Sequence, residues 1–559
     1  MNTNFITIDE LVKKIKGGDL LIPEMQRGYV WTASQVRNLL DSLYRGYPTG
    51  SILVWETPAQ VETRKAAISQ AANPFAATRR LLLDGQQRLT SLAAVITGEP
   101  IEVRDRKKPI EILFNLNHPE RLTAVMVEAE GQSDDEQQEP EAGERNLTER
   151  LNDLTFVVAS KSLLNKAEWV RVADIFNPDK GDFDLVEGVC DDPRSPDYKK
   201  YTQRLQRVRN IRNYQYMMSV LEPSLEYDEV AEVFVRVNSQ GTKLRGSDLA
   251  LAQITSRWPG SLRQLEEFSE KCAEERQFKL DSGLLVKAVV VFATGQSRFR
   301  TVGTIPLEKL KSSWNEVQQG ITFAIDFLKS RAQINDQDSL SSPFFLIPLA
   351  YYFVRRSSSP TSDESNSLRY WLHVGNARGH YSRGSSETVL DEDLRLIGRG
   401  AAPSELIEVL RRQVGRLEVE PADFARTGYQ NTIFRAVYLA LKAGGATDWQ
   451  TGLGITSEFR YIFSKLSLSK EGHEASTMYE IANMEFLAGR ISPNNSSKGP
   501  QSYLEDAIQR HTHSALERQC VPTDPELHKV ESYQAFLQAR RELLSNRVNQ
   551  FFEQMRSGK

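Results

Sequence analysis

Apolar residues recur along the chain with two periods, and the change of period marks the elements. Ile8, Leu11, Val12 and Ile15 stand at helical spacing and predict a short amphipathic helix over residues 5–18. Leu20-Leu21-Ile22 is an apolar run stopped by Pro23. Val36, Leu39, Leu40 and Leu43 share one face of a second helix, for which Ser34 is a candidate cap. Tyr47-Pro48-Thr49-Gly50 reads as a turn, followed by a buried strand from Ser51 to Glu56. Leu81-Leu82-Leu83 predicts another short strand, with a helix beginning just beyond Asp84-Gly85, and Ile110 to Asn115 a third strand. Phe156-Val157-Val158 resumes order after a polar stretch, and the pattern from Tyr198 to Val220 is helical. Val233, Val235 and Val237 alternate with polar neighbours, and Ser247-Asp248-Leu249 caps a further helix.

Residues 260–420 are mostly helical by periodicity, with Phe344 to Val354 a buried helix rather than a membrane span. That run has about half the ~20 apolar residues a span needs, and Pro348 interrupts it. Tyr533 to Met555 predicts a long amphipathic helix. The expected division is 1–258, 259–425 and 426–559, with a boundary marked by Gly444 to Gly454 inside the last part. Residues 128–150 are acidic and nearly free of large apolar side chains. They cannot offset the entropy of ordering, and a flexible insertion is expected there.

Composition narrows the classes. An apolar fraction of 40% and a charged fraction of 26% are those of an ordinary globular chain. The net charge of −4 opposes coating of nucleic acid through bulk charge, but leaves a local basic face open. Cys190, Cys272 and Cys520 lie far apart and form neither a zinc pattern nor a disulfide framework. No signal pattern opens the chain, so the expectation is a soluble, cytoplasmic protein with no membrane partner.

The chemistry concentrates at Asp84-Gly85-Gln86-Gln87-Arg88, between an all-leucine strand and a helix. The first amides of a helix lack partners, its N-terminal dipole is positive, and Gly85 lets backbone approach a ligand. In that setting Arg88 can contact phosphate oxygens, Asp84 can hold Mg²⁺ or orient water, and Gln86 and Gln87 can position the reacting groups. An ordinary strand-to-helix turn, with Asp84 as cap and Arg88 in a surface salt bridge, explains the same residues. No Walker loop occurs in the chain.

Ile22-Pro23-Glu24-Met25-Gln26-Arg27-Gly28-Tyr29-Val30-Trp31, Tyr47-Pro48-Thr49-Gly50-Ser51 and Asp84 to Arg88 follow one another in order. Phe234-Val235-Arg236-Val237-Asn238-Ser239-Gln240-Gly241 follows, with Leu244 and Asp248 beyond. Together these segments resemble the amino-terminal domain of GmrSD-type restriction endonucleases, over at least residues 5–255. The resemblance implies a ParB/sulfiredoxin-like domain that binds and hydrolyses a nucleoside triphosphate with Mg²⁺. It implies Asp84, Gln86, Gln87 and Arg88 as catalytic residues, with Gln26, Arg27, Gly85, Arg236 and Asn238 completing the nucleotide pocket. Tyr29 and Trp31 can stack on a base or a DNA modification, or can be core aromatics that anchor their loop.

Ala446-Thr447-Asp448-Trp449, Phe459 to Lys465, Ile481-Ala482-Asn483 and Asn494 through Lys498 to Leu504 resemble the HNH-type nuclease domain often fused to that half. Where the active pattern carries two histidines this chain has Arg460 and Tyr461. Arginine cannot ligate a metal, and tyrosine with a pKa near ~10 is a poor base at neutral pH. Asn483, Asn494 and Lys498 remain, as in a retained fold with a lost centre. Among the histidines, His373, His380, His473, His511 and His513 read as surface or hydrogen-bonded groups, and Arg378 and Arg383 as a solvated loop or a phosphate contact.

The fold expected is therefore α+β: a ParB/sulfiredoxin-like amino-terminal domain, then a mainly helical middle and carboxy-terminal region with a degenerate ββα HNH-like element. The function expected is an NTP-hydrolysing component of a restriction or phage-defence system that senses foreign or modified DNA. Its nuclease centre is lost, it has no protein-built metal cage, and cutting is left to a partner nuclease; assembly as a homo-oligomer is expected. The rival readings are a non-enzymatic, nucleotide-controlled DNA-binding clamp and an active nuclease with unusual ligands.

Overall fold

A computed structural model describes residues 2–23, 29, 31–57, 63–64, 79–101, 103, 108–119, 154–190, 192–225, 229–230, 233–234, 246–356, 360–382, 386–489 and 499–558. The chain forms two compact units, Met1–Leu262 and Arg263–Lys559. The insertion expected at 128–150 lies outside the described residues, and the line expected between 425 and 426 falls inside the second unit.

The first unit is built on strands β1 (Asn2–Thr7), β2 (Leu20–Pro23), β3 (Ile52–Thr57), β4 (Thr63–Arg64), β5 (Arg79–Asp84), β6 (Ile112–Asn115), β7 (Phe156–Val158), β8 (Trp169–Arg171) and β9 (Gln215–Leu221). One sheet has the order β1-β9-β3-β5-β2-β4, mixed in direction, and a smaller antiparallel sheet has the order β7-β6-β8. The apolar runs of β2, β3 and β5 have no polar face because the sheet is buried on both sides. Leu20, Ile52, Val54 and Leu82 join one core with the helices Ile8–Lys16, Ala33–Arg45, Gln86–Thr97 and Pro196–Arg209. Their neighbours Leu21, Leu53, Trp55, Leu81 and Leu83 join a second core on the opposite face, with Leu221, Val230, Phe234 and Ala252.

Several local expectations give way to longer-range pairing. Residues 5–7, expected to be helical, belong to β1, because Thr7 caps the helix at Ile8 in a capping box with Glu10 and β1 pairs antiparallel with β9. The helical stretch expected to reach Val220 ends at Arg209. After a short 3₁₀ turn, residues 215–221 form β9, which β3 holds in parallel register. Thr32, not Ser34, caps the second helix through a capping box with Gln35. Ser247, Asp248 and Leu249 lie inside the first turn of the helix Gly246–Arg257 rather than at its cap. The alternation expected through Val233, Val235 and Val237 is replaced, at the described positions 229–230 and 233–234, by helical backbone. Val230 and Phe234, four residues apart, both enter the second core.

The second unit is mainly helical. Its longest helix, Tyr533–Ser557, buries Tyr533, Phe536, Leu537, Leu544, Val548 and Phe551 along one stripe, as its periodicity predicts. The helix Ser362–Arg378 lies against it, with Arg369 Nη2 donating to Met555 O at 2.8 Å and the His373 ring 4.7 Å from that of Phe551. β10 (Phe459–Tyr461) and β11 (Met484–Phe486) form an antiparallel hairpin, and the helix Pro500–His511 follows in the chain. Among the described residues, no helix is long and apolar enough to cross a membrane.

Candidate functional site

The first unit places Asp84 at the end of β5, opposite Leu53, just where the β3–β5 register shifts. Such a register shift interrupts the ladder just before the turn. Gly85 follows with φ +97°, a left-handed conformation that suits glycine. A β-carbon there would sit 2.4 Å from Ile52 Cδ1, so packing against β3 also requires the glycine. The helix Gln86–Thr97 starts on Gly85 with no side-chain cap; Asp84 belongs to the strand and does not cap it. Gln86 and Gln87 are half-buried in the first turn.

Arg88 is tied into the protein. Its Nη1 donates to Thr49 O at 2.6 Å, and its Nη2 donates to Ser51 O at 2.7 Å and to Asp84 Oδ2 at 3.1 Å. The guanidinium lies 5.6 Å from the ring centroid of Tyr216, and the side chain is 13% exposed against 32% for Asp84. Tyr216, on β9, is fully buried and 2.8 Å from Thr49 Oγ1, and loss of solvent raises its pKa above the usual phenol value. The Tyr29 hydroxyl lies 2.7 Å from Ser91 Oγ, which donates to Gln87 O at 2.7 Å. Tyr29 and Trp31 are both half-buried against the first core. Gln26, Arg27, Arg236 and Asn238 lie outside the described residues.

Sequence reasoning missed the carbonyls of Thr49 and Ser51 and the side chain of Tyr216. The Tyr47–Ser51 turn was visible as a turn, but main-chain acceptors leave no signature in residue type. Tyr216 sat in a stretch read as helix, so its place beside β3 was not legible.

In the second unit the hairpin centre is sealed by its own side chains. Arg460 and Glu485 are directly paired across β10 and β11, and Arg460 Nε donates to Glu485 Oε2 at 2.8 Å. Tyr503, on the following helix, donates to the same carboxylate at 2.7 and 2.9 Å, and the Arg460 guanidinium stacks 4.1 Å from its ring centroid. Glu485 is fully buried, and burial pushes its pKa up to about 7 against the opposing pull of Arg460. Asn483 locks backbone: its Oδ1 accepts from Phe463 N at 2.9 Å and its Nδ2 donates to Phe463 O and Met478 O. The Tyr461 ring rests between Phe459 and Tyr479. Arginine and tyrosine at 460 and 461 do not fit a catalytic metal centre. Among the described residues, no three His, Cys, Asp or Glu side chains could hold a metal ion. Asn494 and Lys498 lie outside the described residues.

The histidine and arginine segment near 373–383 is not a phosphate-contacting or solvated loop where it is described. His373 is buried, with Nε2 2.9 Å from Ala332 O, and burial lowers its pKa to about 4. His380 is buried 2.7 Å from Asp393 Oδ2, and Arg378 is bound to Asp423 and to Glu418 O. Arg383 lies outside the described residues. The His473 ring meets that of Tyr533 edge-on, with centroids 5.1 Å apart.

The first unit is thus a doubly covered mixed sheet carrying a strand–glycine–helix turn. Residues 8–255 match the family model of the GmrSD restriction endonuclease N-terminal domain. The match covers nearly all of the amino-terminal unit and points to a component of a restriction or phage-defence system. The uncharacterized protein MJ0686 of Methanocaldococcus jannaschii is 21% identical over 551 residues, covering 91% of this chain and 87% of that one.

Proposed function

We propose that the amino-terminal unit binds and hydrolyses a nucleoside triphosphate with Mg²⁺ at the Asp84–Arg88 turn, and that this turnover gates sensing of foreign or modified DNA. The observation that carries the reading is a helix start on a left-handed glycine with no side-chain cap, flanked by Asp84 and two half-buried glutamines. Such a start offers amide donors and a positive dipole end to a phosphate. Asp84 fits as the carboxylate facing the cation of the incoming nucleotide, and Gln86 and Gln87 as groups that orient the attacking water. Gln26, Arg27, Arg236 and Asn238 complete the pocket of a ParB-like fold in this reading, and the segment bearing Tyr29 and Trp31 meets the DNA. The second unit keeps an HNH-like outline without its chemistry, so cleavage falls to a partner nuclease.

Phosphate release from each of the four common NTPs with Mg²⁺, with and without DNA, tests this. Asp84→Ala should lower turnover by at least ~100-fold, a barrier change of about 2.7 kcal/mol. Absence of turnover in the unaltered protein with any nucleotide rejects hydrolysis. One observation favours a second reading, a nucleotide-controlled DNA-binding clamp. Arg88 is engaged internally and offers little to a phosphoryl transition state. Retained nucleotide affinity without turnover selects that reading.

A further inference from the structure

We infer that Arg88 is a positioning residue that fixes the Tyr47–Ser51 turn and Asp84 against the start of the Gln86–Thr97 helix, and that it does not itself grip phosphate; the inference rests on the nucleotide reading of this turn.

The geometry of the guanidinium carries the argument. It has five N–H donors in a rigid plane, and a bidentate grip uses either Nη1 with Nη2 or Nε with Nη2. Both forks need Nη2. Here the two N–H groups of Nη2 are directed at Ser51 O, 2.7 Å away, and Asp84 Oδ2, 3.1 Å away. Nη1 donates to Thr49 O at 2.6 Å. On one side stands Gly50, whose φ is +94° and whose missing β-carbon would lie 2.6 Å from Nη1 and 3.2 Å from Cζ. Tyr216 stands near the guanidinium as well, and holds Thr49 Oγ1 at 2.8 Å. The fork therefore closes on two main-chain carbonyls and one carboxylate, and Gly50 is required to let it in.

This arrangement assigns distinct jobs within one motif. Three segments far apart in sequence, 47–51, 84–88 and β9 at Tyr216, are joined through one cation. Arg88 sets where Asp84 points, and the remaining members of the turn face the nucleotide. A lysine cannot reproduce the function, because a single ammonium lacks the planar fork that spans two carbonyls and a carboxylate. A lysine would still serve as a point charge for phosphate, and that difference separates the two roles.

The test combines steady-state turnover of each Mg·NTP with hydrogen exchange of the amides of residues 47–51, in the full chain. The variants are Arg88→Ala, Arg88→Lys and Gly50→Ala, the last two serving if the first does not fold. The positioning role predicts that all three lower kcat by roughly tenfold or more, leave KM within about threefold, and speed exchange across 47–51. A rise of roughly tenfold or more in KM for Arg88→Ala, with exchange at 47–51 unchanged and Arg88→Lys near the unaltered protein, would overturn it. If the unaltered protein turns over no nucleotide, the hydrolysis reading fails, and the exchange data alone decide the positioning role of Arg88: faster exchange across 47–51 upholds it and unchanged exchange rejects it.

Discussion

The two units each gather polar side chains on a strand, at the end of β5 in the first and across β10 and β11 in the second, and they bond them differently. In the first unit the strand end leads to a helix start where Gln86, Gln87 and Asp84 remain partly open to solvent, and Arg88 alone is drawn inward. In the second, Arg460 Nε and the Tyr503 hydroxyl both donate to the buried Glu485 carboxylate, Arg460 Nη2 is buried without a partner among the described residues, and Asn483 and Arg540 donate to main-chain carbonyls. A polar cluster can serve a ligand only if some of its hydrogen-bonding capacity is left for that ligand. A cluster satisfied within the fold rigidifies the fold instead. Arg88 in the first cluster and Arg460 in the second both bond to groups already in the chain.

The comparison can be broken in the second unit first. Arg540 is fully buried and donates to Ala482 O, Met484 O and Gln519 O, and burial lowers its pKa to about 10. Arg540→Leu leaves those carbonyls without their donor, and urea unfolding should show a loss of about 3–5 kcal/mol. A loss under ~1 kcal/mol would mean that the cluster does not hold the hairpin.

A pH series sharpens it next. Glu485 has a folded pKa near 7, above the usual carboxylate value of 4.5. Between those values the folded state keeps a proton that the unfolded chain releases, so this group makes the second unit less stable as pH rises from about 4.5 to 7. Glu485→Gln cannot titrate, and relative to the unaltered protein it should gain up to about 3 kcal/mol across that window. His373, lowered to about 4, acts in the opposite sense, its contribution growing as pH rises from 4 to 6.5. The difference between the two proteins, rather than either curve, therefore isolates Glu485. A flat difference would show that the carboxyl is not held protonated by burial.

The smallest effect lies at a cap in the first unit. Thr32→Ala removes the side-chain acceptor from Gln35 N and should cost about 1 kcal/mol in denaturant unfolding. Nucleotide turnover should be unchanged, since the hydrogen bonds of the cap run between Thr32 and Gln35 of its own helix. A parallel loss of turnover would tie the Ala33–Arg45 helix to the site.

Much of the local architecture was legible. Leu81-Leu82-Leu83 announced a short strand, Gly85 announced the break before the helix, and the stripe from Tyr533 onward announced the last helix. What misled was periodicity near strand edges: Phe5 and Ile6 extended a helical pattern, and residues 215–220 continued one. Propensity there is weak, and pairing between β1 and β9 decided the outcome. At the candidate site, Asp84 through Arg88 were readable as a group because they are contiguous. The arginine's partners were not, because two of them are main-chain oxygens and Tyr216 comes from 128 residues downstream of Arg88, by the numbering (216 − 88).

The sequence by itself determined the main periods of burial, the turn after Leu81-Leu82-Leu83, and the chemistry available at residues 84–88 and 460–461. Those properties depend on residues within a turn or two of each other. Only the tertiary structure decided which donors meet which acceptors: that Arg88 closes on Thr49 and Ser51, and that Arg460 finds Glu485 and Tyr503. Such pairs are fixed by strand register and core packing across long stretches of chain, and a buried charge takes whatever partner that packing brings within reach.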